Sequence, residues 1–313
     1  MRIGFLFSGQ GAQYSEMGLD FYQEDELFRS LIDEVSSSIG IDLPTVFKNQ
    51  DGQLSQTKFV QPAIVAMSLG IYQMLRRDLP DLDVRGMLGL SLGEYSALIA
   101  SGAFDVADGF NVLKDRAAYM QADADETEGA MLAVMKTEHD VIAEICEQAS
   151  TNDEVVTFAN YNSPSQVVIG GHKKAVNRAL DLFREQNIKK VIPLNVSGAF
   201  HTPLFQKTSF QMERRLADVT IHKLTVPVYS NTTGKLFSKD TIKQILAQQV
   251  ILPTHFGECL QEMITTDEID TVVELGPGKT LCKFTKQIDR QINNFNIENI
   301  TTYTKFVTAN HDD

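Results

Sequence analysis

The chain has 313 residues, 43% of them hydrophobic and 22% charged, with a formal net charge of −13. That length allows a large core and about two domains of ordinary globular composition. The acidic balance argues against general nucleic-acid binding, and no apolar run approaches the ~20 residues of a membrane span.

Taken in chain order, residues 2–7 form a short apolar run that reads as a buried strand rather than a signal peptide, because Ser8-Gly-Gln-Gly-Ala-Gln13 follows at once. Gly9 and Gly11 begin a dinucleotide fingerprint, but its third glycine would fall at Tyr14, so that reading fails. Helices are expected over residues 17–39, then a loop rich in Asp, Gly and Gln over 49–56. Gln61-Pro62 is expected to open a long apolar helix to about Leu79, with the proline where a helix start accepts it.

The stretch that organises the chain comes next. An apolar run over 84–90, broken by Gly86 and Gly89, leads into Ser91, and a run of good helix formers follows over 92–101. Gly89-Leu-Ser-Leu-Gly93 is therefore G-x-S-x-G in the strand-turn-helix setting that gives the motif meaning. Such a turn forces its serine into a strained backbone geometry, which the flanking glycines make sterically possible. It lifts the hydroxyl clear of the sheet edge and aims the Leu92 N–H at any oxyanion formed there. Asp105 is expected to cap a further helix to about Ala124, which carries Arg116.

The pattern then changes. Residues 129–135 read as a strand, 138–149 as a helix, 155–161 and 166–169 as strands joined by Asn162-Ser-Pro-Ser165, 172–186 as a helix and 189–196 as a strand. The order β-α-β-β-α-β is the ferredoxin-like arrangement, so residues 128–196 are expected to form an inserted small domain. Residues 1–127 and 197–313 would make one α/β domain with a mainly parallel, doubly wound sheet. Its second part has a helix from Pro203, a strand over 226–230, helices from about Asp240, a strand over 271–274 and a final helix from Lys279. Gly276-Pro-Gly-Lys-Thr280 resembles the end of a phosphate loop, but position 273 is valine where that loop needs glycine, so it reads as a helix-opening turn.

A catalytic serine needs a base. His201, in Val196-Ser-Gly-Ala-Phe-His201, follows a strand and precedes a helix, on a loop edge. His139, His172, His222 and His255 sit on expected helices or in polar surroundings, and His311 in the tail. The six histidines show no metal-ligand spacing. Cys146, Cys259 and Cys282 are isolated and read as buried, reduced thiols of a cytoplasmic protein. An ordinary α/β-hydrolase would add an acid loop between serine and histidine, and none stands out.

With these landmarks together the sequence resembles the malonyl-CoA:acyl carrier protein transacylase family, which includes acyltransferase domains of fatty-acid and polyketide synthases. Further matched stretches are Gln61-Pro62-Ala63, Met120-Gln121, Asn160-Tyr-Asn-Ser-Pro-Ser-Gln166, Gln249 before Pro253, and Glu274-Leu-Gly-Pro-Gly278. The resemblance implies an α/β-hydrolase-like core with the ferredoxin-like insertion. It implies Ser91 as nucleophile and His201 as its base, the latter oriented by the backbone carbonyl of Gln249 in place of a carboxylate. The oxyanion hole falls to the N–H groups of Gln10 and Leu92, and Arg116 becomes a clamp on the malonyl carboxylate. Phe200, before the histidine, goes with malonyl rather than methylmalonyl. Asn160 and Asn162 lie near the pocket mouth or simply shape a turn; both readings stay open.

The implied reaction is a ping-pong transfer from malonyl-CoA to acyl carrier protein that needs no metal or bound cofactor. Leu90 and Ser8 depart from a frequent histidine and a frequent proline of the family. A serine thioesterase or esterase, a trans-acting polyketide acyltransferase and a non-enzymatic carrier-binding module are the rival readings. Basic residues to steer an acidic carrier are sought among Lys173, Lys174, Arg178, Lys189, Lys190 and Lys279.

Overall fold

A computed structural model describes residues 1–310; His311, read above as a tail histidine, lies outside them. Among the described residues, ten strands fall into two sheets. The larger has the order β10-β9-β1-β2-β7-β8. Its members are β1 (Arg2–Phe7), β2 (Asp83–Gly89), β7 (Val228–Ser230), β8 (Lys235–Leu236), β9 (Thr271–Leu275) and β10 (Asn293–Ile297). All pairs are parallel except the β7–β8 hairpin at one edge.

A parallel sheet is stable only with both faces covered, which is why β1 is apolar from Ile3 to Phe7 and β9 carries Val272, Val273 and Leu275. Ile3, Phe5 and Phe7 face a core built with the helices Glu26–Ile39, Thr57–Asp78 and Gly93–Ala100. Leu6, Leu88 and Val272 face a second core, against Phe256–Thr266 and Thr280–Ile288.

The smaller sheet is antiparallel, in the order β4-β5-β3-β6. It contains β3 (Gly129–Met135), β4 (Val156–Ser163), β5 (Gln166–His172) and β6 (Val191–Pro193). The helices His139–Ala149 and Lys173–Glu185 cover one face with their own apolar cluster. β4 is tied to the rest of the molecule by a bridge between Asn160 and Thr254.

Several expectations are corrected. The long helix starts at Thr57, a full turn before Gln61, so Pro62 lies in its interior. Pro62 has no N–H to give the Lys58 carbonyl, a loss borne within a largely apolar, buried segment. Asp105 stands at the N-cap position of Val106–Glu126, but its side chain makes no capping bond and turns 3.3 Å from His222 Nε2. The last strand of the small sheet spans Val191–Pro193, far shorter than 189–196. The helix after Lys279 is not the last element, since β10 and the helix Ile300–Asn310 follow. β10 reads Asn-Asn-Phe-Asn-Ile and is an edge strand, where polar side chains replace the apolar signal that marks a central one. Asn160 and Asn162 lie within β4, so neither begins a turn.

Candidate active site

The turn after β2 holds Ser91 at φ 51°, the left-handed region that a side chain adopts only when its surroundings impose it. Those surroundings are close backbone. A Cβ on Gly89 would stand 1.9 Å from the Gly93 carbonyl carbon, and one on Gly93 would stand 2.2 Å from the Phe7 oxygen. Both positions require glycine, and together they press the Gly93–Ala100 helix onto the ends of β1 and β2.

His201 is likewise strained, at φ 62°, and although it lies on a loop it is 3% exposed. Its Nε2 is 2.7 Å from Ser91 Oγ. Its Nδ1 is 2.8 Å from the Gln249 carbonyl and 3.2 Å from that of Leu252. A carbonyl only accepts, so Nδ1 carries the proton and Nε2 offers its lone pair to the serine hydroxyl. Burial pushes the imidazole down to about 4; the two carbonyls oppose this, and the Arg116 charge adds to it. The resting ring is therefore a neutral base. The N–H groups of Leu92 and Gln10 border the same cleft, and among the described residues neither donates to a protein acceptor.

Arg116 has no exposed surface, which removes its reading as a surface arginine. Its Nη1 donates to Gln61 Oε1 at 2.7 Å and its Nη2 to Gln249 Oε1 at 2.8 Å. Nε has no partner among the described residues. The guanidinium also lies 5.2 Å from the centre of the Tyr95 ring. Its partners are thus amide oxygens and an aromatic face, with no carboxylate in direct contact, and burial lowers its affinity for its proton. A buried cation left without an anion at contact distance is costly, and it is an open invitation to one from outside.

Ser91, His201, Arg116, Gln10, Leu92, Phe200, Asn160 and Asn162 all line one cleft of about 380 Å3. Gln249 lies behind it, fully buried. Phe200 packs against Phe205 at 5.3 Å and belongs to an apolar cluster with Met120, Met131 and Val168. Asn160 donates to Thr254 Oγ1 at 2.8 Å, whereas the buried Asn162 Oδ1 has no partner among the described residues. Leu90 and Leu281 with Phe284 add apolar wall. Among the described residues there is no cluster of side chains that could hold a metal ion.

Three participants were not assigned from sequence: the side chains of Gln61, Gln249 and Glu94. Glu94 accepts from the Asn231 N–H at 2.6 Å and from Gln249 Nε2. Each is a polar residue inside an otherwise apolar stretch, and that is the signal that could have found them.

Of the six basic residues considered for steering, Lys173 pairs with Glu128, and Lys174 and Arg178 with Glu154. Lys189, Lys190 and Lys279 are exposed and make no ion pair among the described residues. Lys279 adjoins Thr280 of the cleft lining.

Known proteins share this sequence pattern and fold. Residues 4–310 match the acyl transferase domain family. The malonyl CoA-acyl carrier protein transacylase of Bacillus subtilis is 32% identical over 295 residues, 93% of this chain and 92% of its own. A solved transacylase of Streptococcus pneumoniae superposes with a TM-score of 0.92 at 40% identity, covering 98% of this chain and 99% of that one. A malonyl-transacylase solved in complex with its holo type II polyketide acyl-carrier protein reaches 0.93 at 28% identity, covering 99% and 100%. With sequence and fold in agreement over essentially the whole length, the chain belongs to the acyl transferase domain family, within the malonyl CoA-acyl carrier protein transacylases.

Proposed function

We propose that the protein transfers the malonyl group from malonyl-CoA to the phosphopantetheine thiol of acyl carrier protein through a malonyl-Ser91 ester, supplying fatty-acid synthesis in the cytoplasm. The observation that carries this reading is the pairing, in one cleft, of a Ser91–His201 couple at 2.7 Å with a buried arginine that has no carboxylate of its own. The matched relatives named for this transfer, over nearly the full chain, support it.

In the first half-reaction Ser91 Oγ attacks the thioester carbon as its proton passes to His201 Nε2. The oxygen of the tetrahedral intermediate sits between the free N–H groups of Leu92 and Gln10; one such donor is typically worth ~10²–10³ in rate. The C–S bond then breaks and His201 returns the proton to the departing CoA sulfur. In the second half-reaction the carrier thiol gives its proton to His201 and attacks the Ser91 ester. The C–O bond breaks and Oγ takes the proton back. Gln249 holds the imidazole through its carbonyl, the part an acid plays in other triads.

Arg116 would receive the malonyl carboxylate through charge-assisted bonds, while Phe200 fills the space an α-branch would need. Asn162 lines the same cleft and would offer its side-chain amide to the incoming acyl thioester. We read residues 128–196 as an inserted ferredoxin-like domain on an α/β-hydrolase-like core formed by 1–127 and 197–313; the strand order of the small sheet and its separate apolar cluster support that division.

Intact-protein mass spectrometry tests the reading. Malonyl-CoA alone should add one malonyl group, at Ser91, and holo acyl carrier protein should remove it with malonyl appearing on the carrier. Rapid loss of the adduct to water, with none reaching the carrier, would mark a thioesterase instead.

A further inference from the structure

Glu94 sits on the first turn of the Gly93–Ala100 helix, one turn past the nucleophile, with no exposed surface. Both of its carboxylate oxygens are committed. Its Oε1 accepts from the Asn231 N–H at 2.6 Å, and its Oε2 accepts from Gln249 Nε2. Gln249 in turn spends all of its groups. Nε2 also donates to the Ser91 carbonyl at 3.0 Å, Oε1 accepts from Arg116 at 2.8 Å, and the main-chain carbonyl accepts from His201 at 2.8 Å.

This arrangement is directional. A guanidinium only donates, so it requires the oxygen end of the Gln249 amide. An ionised carboxylate only accepts, so it requires the nitrogen end. With Glu94 ionised, the amide has one allowed orientation. The Ser91 carbonyl asks for the same nitrogen end, so a Glu94 that could donate would oppose this orientation at one contact and loosen the hold of the amide on Arg116.

The charge is directional too. Glu94 lies one amide beyond Arg116, close enough to compensate a buried cation and too far to occupy its N–H groups. A direct ion pair would consume the edge that an incoming carboxylate needs.

We propose that Glu94 is a positioning residue for acyl recognition: acting through the Gln249 side chain, its carboxylate holds Arg116 charged and open toward the cleft, and so sets the preference for acyl groups that carry a carboxylate. This rests on the reading of Arg116 as the acyl-carboxylate site.

The groups facing Glu94 define a pH test. They are Arg116 with Tyr95 beside it, Cys259 from the Phe256–Thr266 helix, and His201 beyond Gln249. His255, at the start of that same helix, bonds the Asn231 carbonyl through its backbone N–H, and its ring turns to Glu258. Burial pushes the Glu94 carboxyl up to about 8, against the pull of Gln249, Asn231 and Arg116. Burial also raises Tyr95, to about 12, and Cys259, while it takes His201 down to about 4. Across mildly alkaline pH, Glu94 is the member of this group whose charge changes, and the malonyl carboxylate is ionised throughout.

The experiment measures acylation of Ser91 by malonyl-CoA and by acetyl-CoA on the full chain, from about pH 7 to about pH 9, with kcat and KM separated. In the wild type the malonyl-to-acetyl ratio should climb with pH, by about tenfold for a fully coupled single ionisation across that range. Glu94→Gln should lower the ratio by roughly tenfold or more and make it flat in pH. Glu94→Asp, which keeps the charge, should retain the climb at a lower overall rate. A Glu94→Gln protein that loses malonyl and acetyl acylation alike, or a wild-type ratio flat in pH, overturns the proposal. Should Glu94→Gln fail to fold, the wild-type and Glu94→Asp profiles decide by the same criterion. Absence of a malonyl adduct on wild-type Ser91, or a malonyl preference untouched by Arg116→Ala, would instead break the underlying functional reading.

Discussion

The two ends of the cleft are built by different means. The Ser91–His201 end is made of backbone: both residues have positive φ, the serine is pinned by glycines that touch neighbouring main chain, and the histidine is held by carbonyls. The Arg116 end stands on a regular helix, Val106–Glu126, and side-chain amides from two other elements hold it in place. The difference suits the two tasks. Bond making and breaking needs atoms fixed to within a fraction of an ångström, which strained main chain provides. Choosing an acyl group needs a charge held ready in a dry place with donors to spare, which two neutral amide partners leave it. Gln249 belongs to both ends, through its carbonyl to His201 and through its side chain to Arg116.

The largest effects should come from the backbone-built end. Ser91→Ala should abolish acylation for every acyl-CoA, and His201→Ala should cost roughly 10³-fold or more, since an unassisted hydroxyl is a weak nucleophile. Malonylation appearing on another residue of the Ser91→Ala protein would show that this end has been misidentified. Gly93→Ala comes next. Its new Cβ would meet the Phe7 carbonyl at 2.2 Å, so the helix must lift from β1. A destabilisation of about 3 kcal/mol or more is expected from denaturant unfolding, together with loss of acylation. An unchanged unfolding midpoint would mean that the turn has slack this account denies it.

The pH dependence sharpens the comparison, because the two ends are electrically coupled. His201 must be neutral to act, and burial together with the Arg116 charge holds its imidazole down to about 4. The acid limb of acetyl acylation should therefore lie well below the ordinary histidine range in the wild type. Removing the Arg116 charge raises the imidazole pKa, so in Arg116→Ala the limb should move to higher pH. A limb that stays in place would uncouple the two ends. The smallest effect concerns encounter. Added salt should slow transfer to acyl carrier protein a few-fold and leave transfer to uncharged pantetheine nearly unchanged, and charge reversal at Lys189, Lys190 and Lys279 should remove the difference. Equal salt responses for both acceptors would place recognition on apolar contacts.

The same division explains what the sequence disclosed. A backbone-built turn leaves a local signature, so the glycine spacing around Ser91 and the setting of His201 were legible within a few residues of each. Arg116 was legible as a residue type in a matched stretch, but its amide partners lie 55 and 133 positions away, and no local pattern connects them. Glu94 read as one more good helix former, since its burial follows from how helix and sheet pack and not from the helix itself. The fold followed the same rule. Apolar central strands such as β1 and β9 were plain, while the polar edge strand β10 and the helix after it went unread. Pro62 misplaced a helix start because the proline preference for a first turn is only a preference, outweighed here by the burial of the segment around it.

The central claim, that one end of the cleft does the chemistry and the other chooses the acyl group, is tested most directly by single-turnover acylation of Arg116→Ala with malonyl-CoA and acetyl-CoA side by side. Loss of two charge-assisted hydrogen bonds at ~1.5–3 kcal/mol each predicts a fall of roughly 10²–10⁴-fold for malonyl, with acetyl acylation retained or increased at neutral pH. Equal falls for the two acyl groups would contradict it, because Arg116 would then serve the serine and histidine rather than the substrate.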